Sequence, residues 1–291
     1  NKFVDSILPF QIDSKNLRGR FARVEKLAYE TLKNHHFPDE VCTLLIEALL
    51  LTVLIGEMIK IRWRLSLQVR GNETIKLLAT DYYAPKEGGK PARIRAYADY
   101  DKDSTHLKLD TGLFAITIDQ GKKMEPYQGI TPIIDGSLQK SAENYFLQSE
   151  QIKTFFDLNI TKKHSEKNGK NWNASGFMLQ ALPRDNDNEL IDDHSWNDLQ
   201  ERIIEQTKDY SMSTDFNQYR FLDNIFQTSK LTVFKETKLK FGCSCKRKTL
   251  LHNLVKYPKE QLQQISDNQK IISANCQFCG KKFKFFLQEI F

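Results

Sequence analysis

Four of the five cysteines in this 291-residue chain stand in two tight pairs near its end, Cys243-Ser244-Cys245 and Cys276-Gln277-Phe278-Cys279, with thirty residues between them. Two short chelating turns joined by a folded segment can place four sulfurs at the corners of a tetrahedron. That is the arrangement Zn²⁺ takes in structural sites. Four thiolates also fill the coordination shell, which leaves no position for a catalytic water and argues against direct zinc catalysis. The C-x-C pair holds its sulfurs so close that it can serve as a disulfide as well as a chelate. Spacing alone therefore leaves two alternatives open: a stable zinc ribbon that holds the C-terminus together, and a metal site with a redox role.

The fifth cysteine, Cys42, lies alone in an apolar run and reads as a small buried hydrophobe. This cysteine usage is not the framework of a small secreted domain and suits a reducing compartment. Residues 1–20 lack a basic segment followed by an apolar one, so no signal peptide is expected. The longest apolar stretch, residues 41–55, contains Glu47 and is shorter than the roughly twenty residues a bilayer span needs. The expectation is a cytoplasmic protein with no membrane partner, long enough for one ordinary core and a smaller second unit.

Along the chain, residues 34–59 carry helix signals: an acidic first turn after Pro38, then Val41, Leu44, Leu45, Ala48 and Leu49 at helical spacing. His35-His36 just before this helix has no partner cysteines and reads as a solvated pair. Residues 61–70 alternate, with Ile61, Trp63, Leu65, Leu67 and Val69 on one face and Arg62, Arg64 and Arg70 on the solvated other. Residues 74–80, 92–100 and 112–119 repeat the strand-and-turn pattern, and a meander is the simplest arrangement. A strand over 127–134, a helix over 137–151 and extended segments at 152–160 and 175–182 follow, the last two separated by a lysine-rich loop at 162–173.

The run Pro183-Arg184-Asp185-Asn186-Asp187-Asn188 marks the first domain boundary. Residues 183–230 hold five Lys/Arg against eleven Asp/Glu, whereas residues 241–291 hold nine against three. Between 196 and 226 the apolar residues are sparse and mostly aromatic, including Trp196, Tyr210, Phe216, Tyr219, Phe221 and Phe226. Such a segment buries little by itself and must fold against something else. Residues 231–240 alternate and lead to Cys243, two short helices are expected at 249–257 and 259–265, and residues 281–286 alternate basic with aromatic. The last fifty residues have few large aliphatic side chains and need a staple to hold a fold.

The fold class expected is α+β. Residues 1–182 form an α/β layered N-terminal domain of antiparallel sheet and packed helices. Residues 183–240 form a helical acidic linker, and residues 241–291 a small zinc-binding module. No phosphate-cradling, dinucleotide-binding, zinc-protease or nucleophile-elbow motif occurs, so the expectation is a non-enzyme.

The cysteine pattern in its setting resembles the redox-regulated chaperone family known as heat-shock protein 33. C-x-C, a thirty-residue gap and C-x-x-C is that family's zinc signature, found here as Phe241-Gly242-Cys243-Ser244-Cys245 and Asn275-Cys276-Gln277-Phe278-Cys279-Gly280. The resemblance extends to Tyr127-Gln128-Gly129-Ile130-Thr131-Pro132-Ile133, to residues 143–151 ending in Ser149-Glu150-Gln151, and to Leu231-Thr232-Val233-Phe234. It implies one zinc ion on Cys243, Cys245, Cys276 and Cys279 and an ATP-independent holdase for unfolded or oxidatively damaged clients. It further implies a metastable linker and a dimer in the active form. Oxidation to Cys243–Cys245 and Cys276–Cys279 disulfides would remove all four ligands, unfold the module and the linker, and expose client-binding surface.

The competing class is a zinc ribbon that binds nucleic acid. It rests on Lys246-Arg247-Lys248 and on the interleaved Lys281-Lys282-Phe283-Lys284-Phe285-Phe286. The same basic residues can simply offset the thiolates and the acidic linker, and the resemblance to the chaperone family disfavours a nucleic-acid partner.

Overall fold

The computed structural model describes residues 5–58, 63–71, 73–85, 89–121, 124–163, 171–183, 191–210, 217–227 and 230–291. Outside these lie Ile61 and Arg62, all of 184–190, the middle of the 162–173 loop, and Phe216. The chain divides into two compact units, Asn1–Phe241 and Gly242–Phe291.

The first unit opens with β1 (Ser6–Ile12), β2 (Leu17–Val24), α1 (Lys26–Leu32) and α2 (Asp39–Met58). Next come β3 (Arg64–Gly71), β4 (Ile75–Tyr83), β5 (Ala92–Tyr100), β6 (Gly112–Asp119) and β7 (Tyr127–Pro132). Helix α3 (Leu138–Tyr145) runs on as one π-helical turn at Phe146–Glu150, then β8 (Thr154–Lys163) and β9 (Asn171–Ala181) pair. The acidic segment expected as a linker lies within this first unit and supplies α4 (Asp193–Tyr210), α5 (Gln218–Phe226), β10 (Leu231–Val233) and β11 (Thr237–Phe241). The strands form one sheet in the order β7-β6-β3-β4-β5-β11-β1-β2-β9-β8, with β10 also paired to β1.

The meander expected from the turns stops at β5. Strand β6 returns to pair with β3, and the edge of β5 takes up β11 in parallel. That pairing joins residues 147 positions apart, Leu239 opposite Ala92, and no local period reveals such a partner. Leu65, Leu67 and Val69 are buried as the alternation predicts, but Trp63 precedes β3 and is exposed. Arg64 pairs with Asp119 at 3.4 Å on the half-exposed face, and Arg70 is exposed.

Helix α2 is apolar all round and buried along almost its whole length, the pattern of a core helix. At twenty residues it is longer than the 41–55 stretch and passes the length and composition of a membrane span, but most of that apolar surface is buried inside the first unit. Cys42 is buried there as expected, and His35 stacks on Phe37 with ring centroids 4.8 Å apart. Burial pushes the Glu47 carboxyl up to about 7. The folded chain therefore holds a proton that the unfolded chain loses between the ordinary carboxylate pKa and about 7, and stability drops as pH rises through that window. Glu47→Gln is expected to stabilise the protein at pH 8 by on the order of 2 kcal/mol, and by nothing at pH 4, measured by urea unfolding at both pH values.

The strands β1, β2 and β9 bury both faces. Ile7, Ala22 and Val24 face the α2 core, while Leu8, Phe10 and Phe21 face a second core closed by Trp196, Leu199, Ile203, Phe221, Leu222 and Ile225 from α4 and α5. The acidic linker thus packs through a mixed aliphatic and aromatic stripe, more aliphatic than its sequence suggests, while Tyr219 is exposed. Rings interlock across this core: Phe10 lies 5.4 Å from both Phe177 and Phe226, and Phe21 lies 4.8 Å from Phe221. Gly19 in β2 makes room for it, since a Cβ there would lie 2.1 Å from the Phe10 ring.

The second unit holds α6 (Arg247–Leu254), α7 (Lys259–Ile265), the antiparallel hairpin of β12 (Ile271–Asn275) and β13 (Lys282–Phe286), and α8 (Leu287–Ile290). Its core consists of Leu262, Ile272, Phe283, Phe285, Leu287 and Ile290, with Cys276 beside them.

Candidate metal centre

The four cysteines of the second unit converge. Cys243 and Cys245 lie in the extended segment before α6, and Cys276 and Cys279 lie in the turn that joins β12 to β13. That turn is fixed by backbone bonds: the Gly280 N–H donates to the Cys276 carbonyl at 2.8 Å, and the Cys276 N–H donates to the Lys281 carbonyl at 2.9 Å. Gly280 has φ of 67°, a left-handed conformation that favours glycine and bends the chain back into β13.

All four sulfurs lie within 4.8 Å of one another, and the four make the cluster of potential metal donors found among the described residues. The Cys243 and Cys276 sulfurs are 3.6 Å apart, and those of Cys245 and Cys279 3.5 Å. Neither distance is a bond. A tetrahedron with metal–sulfur bonds of about 2.3 Å has edges of about 3.8 Å, so the donor set and its spacing fit a divalent ion such as Zn²⁺.

The thiol energetics point the same way. Burial pushes the Cys245 thiol well up, and its sulfur neighbours Cys279 and Cys243 add to that. Burial raises Cys279 as well. For Cys276 burial acts in the same sense, but the Cys279 backbone N–H, the thiols of Cys243 and Cys279 and the Phe278 N–H outweigh it, leaving this sulfur below the ordinary thiol range. Crowded thiols resist becoming four thiolates together, and a dication at their centre removes that conflict.

The basic and aromatic run at 281–286 resolves into strand alternation. Phe283 and Phe285 are buried in the unit's core, and Phe286 is the exposed aromatic of β13. Arg247 lies 4.7 Å over the Phe285 ring and pairs with Glu289 at 2.5 Å. Two of the three rings proposed for base stacking are therefore structural, and Arg247, the single arginine of the two basic runs, is engaged. The Arg247 to Glu289 clamp escapes sequence inspection, because 42 residues separate its ends.

Fold and centre together define a two-unit α+β protein with a four-thiol site in its small C-terminal unit. The family model described as Hsp33 protein matches residues 5–286, and the chain belongs to that family. The chain is 27 % identical to the 33 kDa chaperonin of Caulobacter vibrioides, with 96 % of this chain and 94 % of that protein aligned. It is 29 % identical to the 33 kDa chaperonin of Hahella chejuensis, over 97 % of this chain and 94 % of that one. The crystal structure of the 33 kDa chaperonin from Thermotoga maritima has the same fold, with a TM-score of 0.75 at 18 % identity, covering 98 % of this chain and 96 % of that one.

Proposed function

We propose that this protein is an ATP-independent holdase for unfolded polypeptides, held inactive while its four cysteines are reduced and metal-bound. The observation that carries the proposal is a four-thiol cluster set in a unit whose buried core is six apolar side chains, with Leu250, Leu251, Leu254, Ala274 and Phe278 half-buried against them. In this reading Cys243, Cys245, Cys276 and Cys279 hold one zinc ion. Bound zinc supplies four metal–sulfur bonds that close the unit's fold.

The chain's own chemistry then makes the switch. Two zinc-bound thiolates give two electrons to one peroxide, which takes up two protons from solvent and leaves as two waters, while the sulfurs join as a disulfide and release their hold on the metal. Disulfides at Cys243–Cys245 and Cys276–Cys279 take away all four donors, and residues 242–291 lose their staple. The linker helices α4 and α5 then leave the sheet face, uncovering Phe10, Phe21 and Phe177 for clients. The active form assembles as a dimer in the cytoplasm.

The test is a peroxide titration of the zinc-loaded chain under mild heat, following zinc in solution, free thiols and suppression of client aggregation together. The three are expected to move in step, with four thiols lost per zinc. Full loss of zinc and thiols with no gain in client holding would refute the switch.

A further inference from the structure

The strand that joins the two halves of the large sheet comes from the segment next to the C-terminal unit. On one side β11 pairs with β5 at Ala92, Arg93 and Ile94, and on the other with β1 at Ser6 and Ile7. Strand β10 continues along the same margin of β1, opposite Phe10, Gln11 and Ile12. Residues 231–241 therefore cover the margin of β1 that β2 leaves free.

The cover is thin. Strand β10 has three residues, none fully buried, and β11 has five, of which only Leu239 is buried. Its fastenings include backbone bonds from Phe234 N–H to the Pro9 carbonyl at 3.0 Å and from Asp13 N–H to the Lys230 carbonyl at 3.3 Å. The Leu239 N–H donates to the Asp5 carbonyl at 2.9 Å, and the Thr237 hydroxyl to Glu57 at 3.0 Å.

Those bonds also reveal what lies beneath. Antiparallel ladders alternate, so Pro9, Gln11 and Asp13 turn their backbone groups toward β10, and the Gln11 to Thr232 pair is a hydrogen-bonded one. Pro9 lacks an N–H, and proline belongs at a sheet margin. Gln11 and Asp13 supply the donors that an added strand needs. Beside them Leu8, Phe10 and Ile12 form one apolar face, against which Leu231 and Val233 pack.

We infer that residues 231–234 occupy the client's place. When this segment lets go, the bare margin of β1 takes up an extended stretch of unfolded polypeptide as an antiparallel strand. Apolar side chains two residues apart on that stretch settle on the Phe10 face. Backbone bonding is blind to sequence, so one margin serves many clients, while the apolar face selects the segments a folded protein would hide. The inference rests on the holdase reading and adds to it the mode of capture.

The test uses the full chain, oxidised and zinc-free, with a reduced and carboxymethylated protein as a permanently unfolded client. Bound client is expected to slow amide exchange at Gln11 and Asp13 by at least about tenfold. A peptide of residues 230–235, Lys-Leu-Thr-Val-Phe-Lys, is expected to displace the client, and the same peptide N-methylated at Thr232 to do so about tenfold less well, through the lost backbone donor. Client held while those two amides exchange unchanged, or equal competition by both peptides, would overturn the inference and leave the holdase reading standing. No client held at all would bring down both.

Discussion

Replacing Cys276 with serine is expected to leave residues 242–291 without a stable fold. Cys276 is the buried member of the cluster, and its sulfur receives backbone N–H groups from the turn that β12 and β13 share. A serine hydroxyl at this place is a poor ligand for zinc and leaves three sulfurs to hold it. Binding free energy in small zinc units is folding free energy, on the order of 10 kcal/mol, and six core side chains offset little of the loss. The variant should bind no zinc, lose amide protection from Gly242 onward, and keep protection along α2 in the first unit. Cys42→Ala, at a cysteine remote from the cluster in sequence and buried in the first unit, should keep both the metal and the C-terminal fold. A folded, zinc-free Cys276→Ser protein would show that the hydrophobic core suffices.

Phe221→Ala is expected to make the protein hold clients without oxidant. Phe221 is fully buried on α5, its ring 4.8 Å from Phe21 and 6.2 Å from Phe177. Truncating a buried Phe costs about 3–5 kcal/mol. The linker closes its core with one short helix and one side of a longer one, so this loss falls on the contact that keeps the sheet face covered. Client-aggregation assays on the reduced variant should show holding with zinc still bound and all thiols free. Holding that still requires peroxide would place the client surface somewhere other than beneath α4 and α5.

The centre was legible in the sequence because chelation imposes short spacings: Cys243-Ser244-Cys245 and Cys276-Gln277-Phe278-Cys279 can be read without knowing what folds between them. The core helix and the strands at 64–71 and 92–100 were legible too, since burial writes its period into neighbouring residues. Long-range pairing was not. The alternation of residues 231–240 announces an extended segment, yet nothing in it names β1 and β5 as its partners. The aromatic run at 281–286 suggested a stacking platform because alternation shows that one face differs from the other without showing which faces inward. Phe283 and Phe285 turn out to be the inward ones.

The most direct measurement is residue-resolved amide exchange on the full chain, zinc-loaded and then stripped of metal by chelator and peroxide. Protection is predicted to vanish across residues 242–291, to fall next in α4, α5 and β11, and to persist in α2. Undiminished protection of residues 242–291 in the metal-free chain would contradict the claim that one ion on four sulfurs holds that unit folded.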